Sequence, residues 1–183
     1  MQRADTYRQR LWDRALDQFG YVTTQDAVDL QVPPKELPKL AEHAGLEHVA
    51  YGLYRFTQMP PTASDQLAEA VLRVGGDAHI TGASVLAFHD LVPLAPKRVS
   101  VGVSRRTRAQ VPKWIELHKE VLPKNEVAVY DGIRSATVAR ALVDCSAHIM
   151  PSRLREATQA ARTKGLLTRR EEEAVLRQLE GAK

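Results

Sequence analysis

The sequence predicts an α+β fold built from two domains. Apolar residues recur at helical spacing near both ends of the chain, whereas residues 98–103 alternate in the manner of a β-strand. Between the two ends, residues 57–64 combine two prolines with small polar residues and show no periodicity, which is typical of a linker. The predicted domains are therefore residues 1–60 and 61–183, and the chain has ample apolar content for a packed core.

The first predicted helix covers residues 5–19. Trp12, Leu16 and Phe19 recur at i, i+4 and i+7, which is the apolar stripe that a helix needs in order to pack on a core. Gly20 follows directly and ends the helix, because glycine adopts the backbone conformations found just beyond a helix without steric cost.

A short helix over residues 25–30 comes next. Thr23 or Thr24 can cap its N-terminus, and Asp26 stands three residues after Thr23, as in a capping box. The run Gln-Val-Pro-Pro at 31–34 then stops the helix, because proline cannot continue the backbone hydrogen-bond pattern.

A second short helix runs to Ala44 and ends at Gly45. It starts as late as Lys35 or Glu36, because Pro38 lacks an amide hydrogen and fits only in the first helical turn. Its apolar face consists of Leu37, Leu40, Ala41 and Ala44, and its opposite face of Lys35, Lys39 and Glu42. The helix is thus short and amphipathic.

Residues 46–49 and 53–56 read as two strands, joined by Ala50-Tyr51-Gly52. The order of elements in residues 20–56 is then helix, tight turn, helix with a polar outer face, and β-hairpin. This is the order of a winged helix-turn-helix domain, whose second helix enters the major groove of DNA. A small α+β lobe that contacts no DNA gives the same pattern, so the order alone leaves both interpretations open.

The second domain is predicted to be mixed α/β, with a small sheet and helices at both ends. Its predicted helices cover residues 65–74, 82–90, 137–148, 152–164 and 169–179, and its predicted strands cover 78–80, 98–103, 113–119, 126–130 and 133–135. Asp131-Gly132 is a strong hairpin signal. Thr168 and Glu171 have the spacing of a capping box at the start of the last helix.

Charge is unevenly distributed between the two predicted domains. The chain carries a net charge of +4, with a sequence pI near 9.3. Residues 1–60 hold seven Lys and Arg against eight Asp and Glu, so the first domain carries −1 and the second +5. This balance permits nucleic-acid binding without requiring it.

Location and redox state follow from what the sequence lacks. One cysteine excludes a disulfide framework, and no stretch of 18 apolar residues or apolar leader is present. We therefore expect a cytoplasmic protein that does not enter a membrane.

Three segments together resemble a known family. The run GYVTTQDA at the start of residues 20–56, the segment HITGASVLAFHDL at 79–91 and the segment TVARALVD at 137–144 occur in the order and spacing of the AbiEi family. Members of that family are antitoxins of type IV toxin–antitoxin systems. The resemblance covers roughly residues 5–165, and it rests on the three segments together because none of them is diagnostic alone.

The resemblance implies a winged helix-turn-helix that binds inverted repeats ahead of its own operon and represses it. It implies a C-terminal domain that counteracts a nucleotidyltransferase-like toxin, either by direct contact or at the toxin's target. We expect a monomer or weak dimer that pairs on double-stranded DNA. The candidate DNA-binding residues are Thr24, Gln31, Lys35, Lys39, Glu42, His43, Tyr51 and Arg55.

Basic residues of the second domain form the candidate surface for the toxin or another partner. They are Arg105, Arg106, Arg108, Arg153, Arg155 and Arg162. Clustered cations suit an acidic partner or phosphate groups. A solvated loop and solvated helix faces account equally well for the same residues.

No catalytic constellation is evident in the sequence. Phosphate-binding glycine loops and the GxSxG elbow are missing, and the six histidines have no metal-ligand spacing. Cys145 shares a helical apolar face with Val138 and Leu142, so we interpret it as core, and Arg140 with Asp144 as a structural i, i+4 pair. We expect no enzyme activity, cofactor or metal.

Two other functions remain open at this stage. The first is a stand-alone winged-helix transcriptional regulator whose C-terminal domain dimerises or senses a ligand. The second is an enzyme that cleaves nucleic acid with a divalent metal. A neighbouring toxin gene distinguishes the antitoxin from the regulator, and a metal-dependent nicking assay tests for the enzyme.

Overall fold

The computed structural model of the chain divides into two units, Met1–Gly75 and Gly76–Lys183. It describes residues 2–43, 45–93, 96–105, 107 and 110–181, with side chains from Thr6 onward. Both units combine helices with a small sheet, so the predicted α+β class is confirmed. None of the described helices is both long enough and apolar enough to cross a membrane.

The first unit contains four helices and a three-stranded sheet within the described residues. Its elements are α1 (Gln2–Leu16), β1 (Tyr21–Thr23), α2 (Thr24–Asp29), α3 (Glu36–His43), β2 (Leu46–Ala50), β3 (Leu53–Phe56) and α4 (Asp65–Val74). The strands are antiparallel in the order β1-β3-β2. The short strand before α2 thus completes the sheet against the hairpin that follows α3.

The predicted apolar stripe of α1 was wrong at Leu16, whereas Trp12 packs against the core beside Phe56. Leu16 is 62% exposed and is the last residue of the helix, whereas Leu11 and Ala15 are fully buried. The chain turns directly after α1, where Phe19 and Gly20 both have positive φ and the Gly20 amide donates to Ala15 at 2.8 Å. The i, i+4 pair Leu11 and Ala15 faces the core together with Trp12, and Leu16 at the helix end does not.

The predicted domain boundary at residue 60 lies inside the first unit, because α4 is bonded to the three-stranded sheet. The guanidinium of Arg55 on β3 lies 2.9 Å from Asp65, the first residue of α4. The hydroxyl of Tyr21 on β1 donates to Glu69 at 3.2 Å. These two contacts join elements that the proline-rich stretch separates in sequence.

The second unit surrounds a five-stranded mixed sheet. Its elements are β4 (His79–Ile80), α5 (Ala83–Phe88), β5 (Val99–Val103), β6 (Ile115–Lys119), β7 (Val127–Tyr130), β8 (Ile133–Ala136), α6 (Val138–Asp144), α7 (Pro151–Thr163) and α8 (Arg169–Gly181), with 3-10 turns at Lys124–Glu126 and Cys145–Ala147. The strand order is β6-β5-β4-β8-β7. Strand β4 lies at the centre, antiparallel to β5 and parallel to β8.

Local signals in the second unit hold as predicted. Asp131 and Gly132 both have positive φ, with values of 48° and 80°, and they join β7 to β8 in the tight hairpin turn that their sequence favours. The Thr168 hydroxyl and amide both bond to the Glu171 carboxylate, which forms the predicted capping box before α8. The predicted helix over 137–148 is shorter, because α6 passes into a 3-10 turn at Cys145.

Candidate nucleic-acid interface and charged cleft

The start of α2 is fixed by a complete capping box. The Thr23 hydroxyl accepts a hydrogen bond from the Asp26 amide at 3.0 Å, and the Asp26 carboxylate accepts one from the Thr23 amide at 2.8 Å. Arg14 of α1 places its Nε 3.2 Å from the same carboxylate, which is buried. The reciprocal bonds satisfy backbone groups that a helix end otherwise leaves unpaired. The ion pair of Arg14 with Asp26 joins α2 to α1.

A tight turn leads from α2 to α3. Gln31 has a φ of 56°, and the amide of the next residue, Val32, reaches back to the Ala27 carbonyl at 2.7 Å. The Val32 side chain is buried, so the turn is held by both a hydrogen bond and packing. Gln31 itself is exposed at the corner of the turn.

Helix α3 has one buried face and one exposed polar face. It begins at Glu36, which places Pro38 in the first turn, and it buries Leu37 and Leu40. The exposed face presents Lys35, Lys39, Glu42 and His43. Lys39 lies 3.0 Å from Glu36, and His43 lies 3.6 Å from Glu42. The exposed face is therefore polar with charges of both signs.

The tip of the β2–β3 hairpin, Tyr51-Gly52, lies beside the start of α2. The amide of Thr24 donates to the Gly52 carbonyl at 2.9 Å, and its hydroxyl lies 3.4 Å from the same oxygen. Gly52 has a φ of 68°, a conformation that glycine adopts without strain. Tyr51 at the tip is fully exposed. Thr24, the first residue of α2, therefore anchors the hairpin to the helix pair α2 and α3.

Arg55 occupies a different place from the other predicted DNA-binding residues. Its side chain is only 15% exposed and is bonded to Asp65 at 2.9 Å and to the Met59 carbonyl at 3.1 Å. The guanidinium also lies over the ring of Tyr21. The Arg55 guanidinium is therefore bonded within the protein. The exposed candidates for DNA contact are the residues of the turn, of α3 and of the hairpin tip.

The predicted basic surface of the second unit is dispersed. Arg105 is exposed in the loop after β5, and Arg106 and Arg108 lie outside the described residues. Along α7, Arg155 and Arg162 are seven positions apart and share one side, whereas Arg153 lies about 200° round the helix from Arg155. Arg162 also lies 3.8 Å from Glu172 of α8. The helix geometry thus divides the arginines of α7 between two sides.

A charged cleft of about 670 Å³ opens in the second unit, and the sequence did not predict it. Its lining comes from the turn after β4, from β5 and β6, and from α6 with the 3-10 turn that follows. Charged and polar lining residues are Thr81, Ser100, Glu116, His118, Lys119, Glu120, Arg140, Asp144 and His148. Segments far apart in sequence meet here because β4 is the central strand of the sheet.

Glu120 is the half-buried carboxylate of this cleft. One of its oxygens accepts a hydrogen bond from the Thr81 hydroxyl at 2.8 Å and lies 3.3 Å from Nε2 of His79. Its other oxygen lies 3.4 Å from Arg140. Gly102 faces this group, and a Cβ there would clash with the His79 ring, so a side chain at this position would displace His79 from Glu120.

Arg140 pairs with three carboxylates, and two of them, Glu120 and Asp144, line the same cleft. Its Nε lies 2.8 Å from Asp144, its Nη1 3.0 Å from Glu126 and its Nη2 3.4 Å from Glu120. The hydrogen bond to Asp144 raises the pKa of the Arg140 guanidinium above its ordinary value. The predicted i, i+4 pair is present, and two further partners on other elements extend it. Sequence spacing could reveal only Asp144, because the other partners lie at long range.

The Cys145 thiol also lines the cleft. Burial raises the pKa of the Cys145 thiol to about 11, which keeps the sulfur in its unreactive protonated form. Within the described part of the chain, no group of three or more His, Cys, Asp or Glu side chains is placed to hold a metal ion. The polar and charged lining residues offer hydrogen-bonding and ionic groups to a polar molecule.

No family model matches the chain, and no curated protein matches its sequence. Among solved structures, it is similar to the Rv2827c protein from Mycobacterium tuberculosis with a TM-score of 0.42 and 15% sequence identity. That likeness covers 94% of this chain and 81% of the other. At these values it identifies no function for this chain.

Proposed function

We propose that this protein is a DNA-binding antitoxin that represses its own operon through the first unit. The observation that supports DNA binding is the joint placement of α2, α3 and the hairpin tip. Thr24 bonds the tip to the start of α2, while α3 turns its polar face outward. A helix of this kind enters the major groove of DNA, and an adjacent hairpin contacts the backbone.

The mixed charge of the α3 face predicts modest affinity for a single site. The Lys39 ammonium is paired with the Glu36 carboxylate, and Lys35 is exposed just before the helix. Because phosphate contacts by Lys and Arg supply most of the sequence-independent affinity, a single copy binds weakly. Two copies on an inverted repeat restore affinity by doubling the contacts, in keeping with the resemblance to AbiEi antitoxins.

Fluorescence anisotropy tests the DNA-binding half of the proposal. The protein is titrated against duplex from upstream of its own gene and against scrambled duplex, over a salt series. We expect tight binding to the upstream duplex only. For Lys39→Ala we expect log affinity to depend less steeply on log salt concentration, by the amount that one lost phosphate contact accounts for. Lys113→Ala, an exposed lysine of the second unit, is the matched control. Equal weak binding to both duplexes would refute the repressor function.

The antitoxin half is tested by rescue of growth from the toxin encoded beside this gene. We expect charge reversal at Arg105, Arg106 and Arg108 to reduce rescue without affecting operator binding. Lys39→Ala is expected to do the opposite. Loss of both activities in both sets of variants would contradict the division of labour between the units.

A second candidate function is a transcriptional regulator without a toxin, whose second unit binds a small ligand. The charged cleft of about 670 Å³ favours this alternative, since it offers many polar groups in one concavity. Under this function, Glu120→Gln and Arg140→Met abolish a ligand-dependent change in operator affinity, and no neighbouring toxin gene is needed. A toxin gene beside this one, with rescue by this protein, would exclude it.

A further inference from the structure

Two hydrogen bonds fix the hairpin tip of the first unit, and one of them comes from α4. On one side the amide of Thr24 donates to the Gly52 carbonyl at 2.9 Å. On the other side Nη2 of Arg73, in the last turn of α4, donates to the Val49 carbonyl at 3.2 Å. Tyr51 lies between Val49 and Gly52 in sequence and is fully exposed. The tip is therefore tied both to the helix pair and to a helix outside it.

A β-bulge makes the Val49 carbonyl available to Arg73. The pairing of β2 with β3 shifts register between His48 and Ala50, so Val49 is the extra residue on its strand. The extra residue of a bulge is left out of the regular ladder, bends the strand, and needs other partners for its polar groups. The guanidinium of Arg73 supplies such a partner at Val49, where β2 bends toward the hairpin tip.

Arg73 is itself held in place by Glu69, which in turn is bonded to Tyr21 of the same unit. Its Nη2 lies 2.6 Å from Glu69, one turn earlier on α4, and both side chains are only 17% exposed. The other Glu69 oxygen accepts a hydrogen bond from the hydroxyl of buried Tyr21 on β1. A continuous chain of contacts thus runs from β1 through α4 to the bulge beside the hairpin tip.

We propose that Arg73 is a positioning residue for DNA binding, which fixes the hairpin tip so that Tyr51 meets the DNA backbone. The proposal rests on the DNA-binding function proposed above. The Tyr51 hydroxyl is a donor suited to a phosphate oxygen, and an ordered tip avoids the entropy cost of fixing it on binding. Arg73 acts through Val49 and the bulge, and it touches no DNA itself.

The first test measures the order of the tip in the free protein. In Glu69→Gln/Arg73→Met, no charged side chain is left buried without its partner, so the fold should persist, as circular dichroism will check. We expect the ¹⁵N order parameters of Tyr51 and Gly52 to fall from about 0.85 to below about 0.6. Gln66→Ala, an exposed change on the same helix, should leave them unchanged. An equally ordered tip in the double variant overturns the proposal.

The second test is a mutant cycle on operator DNA. Tyr51→Ala should weaken binding about tenfold, the size expected for one hydrogen bond to a charged group. Glu69→Gln/Arg73→Met should weaken it by a similar factor, and combining the two should add nothing, because both remove the same contact. Additive losses would overturn the positioning role while leaving DNA binding intact. Failure of the native protein to bind any duplex would instead overturn the proposed function, and the relaxation measurement would still decide whether Arg73 orders the tip.

Discussion

Arg140 and Asp144 face each other across one turn of α6, with 2.8 Å between Nε and Oδ1. The same guanidinium also pairs with Glu126 and Glu120, which lie on other elements of the second unit. One cation thus balances three carboxylates, two of which line the charged cleft. Removing it leaves like charges close together with no compensation, which is costly even when the groups are partly solvated.

Arg140→Met should therefore destabilise the protein by about 2 kcal/mol, less than for a fully buried pair because the site is partly exposed. Urea denaturation followed by circular dichroism measures the change. Arg155→Met, an exposed arginine of α7, should alter stability by less than about 0.5 kcal/mol. Equal stability of the two variants would show that the three carboxylates do not depend on Arg140.

Thr23→Ala should cost about 1 kcal/mol, because it removes the side-chain acceptor at the N-terminus of α2. Thr23→Ser keeps the hydroxyl and should recover most of that loss. Thermal unfolding of the two variants beside the native protein gives the comparison. If alanine and serine prove equally destabilising, the methyl packing of Thr23 matters and its capping bond does not.

The stability of the protein should fall as pH drops below about 6.5, in part through His89. Burial lowers the pKa of His89, and Lys164 lowers it further, while Asp131 and Asp90 act in the opposite direction. Because the pKa of His89 is lower in the folded protein than in the unfolded chain, the unfolded chain binds more protons at pH values between the two. The resulting loss grows until the pH passes below the folded pKa.

Urea midpoints at pH 7.5 and 5.5 measure this effect. His89→Phe should show a smaller difference between the two pH values than the native protein, because phenylalanine does not titrate. His118→Gln, which alters an exposed histidine, should retain the native difference. An unchanged difference in His89→Phe would assign the pH dependence to other groups.

Cys145 should react slowly with thiol reagents in the folded protein. Burial raises its pKa to about 11, and Asp144 adds to the rise, so only about one thiol in a thousand is ionised at pH 8. Labelling with a disulfide reagent, followed by absorbance, should be slow in buffer and rapid in urea. Rapid labelling of the folded chain would mean that the thiol is accessible and ionised.

Local chemistry in the sequence determined where most elements begin and end. The Thr23–Asp26 capping box, the late start of α3 before Pro38 and the Asp131-Gly132 turn were all predicted from adjacent residues and are present. Each depends mainly on backbone hydrogen bonds and torsion angles within a few residues, so adjacent residues suffice to predict it. The i, i+4 pair of Arg140 and Asp144 belongs to the same class.

Only the tertiary structure decided which residues of these elements meet. Arg55 was expected to face DNA and instead pairs with Asp65, while Arg73 reaches the bulge at Val49 from beyond the predicted boundary. Glu120 meets His79 across 41 positions of sequence because β5 pairs on one side with β4, which carries His79, and on the other with β6, which Glu120 follows. Side chains so far apart are brought together by strand pairing and core packing, and no local periodicity records those contacts. The sequence by itself therefore determined the elements and the exposed face of α3, whereas the fold decided the cleft and the support of the hairpin tip.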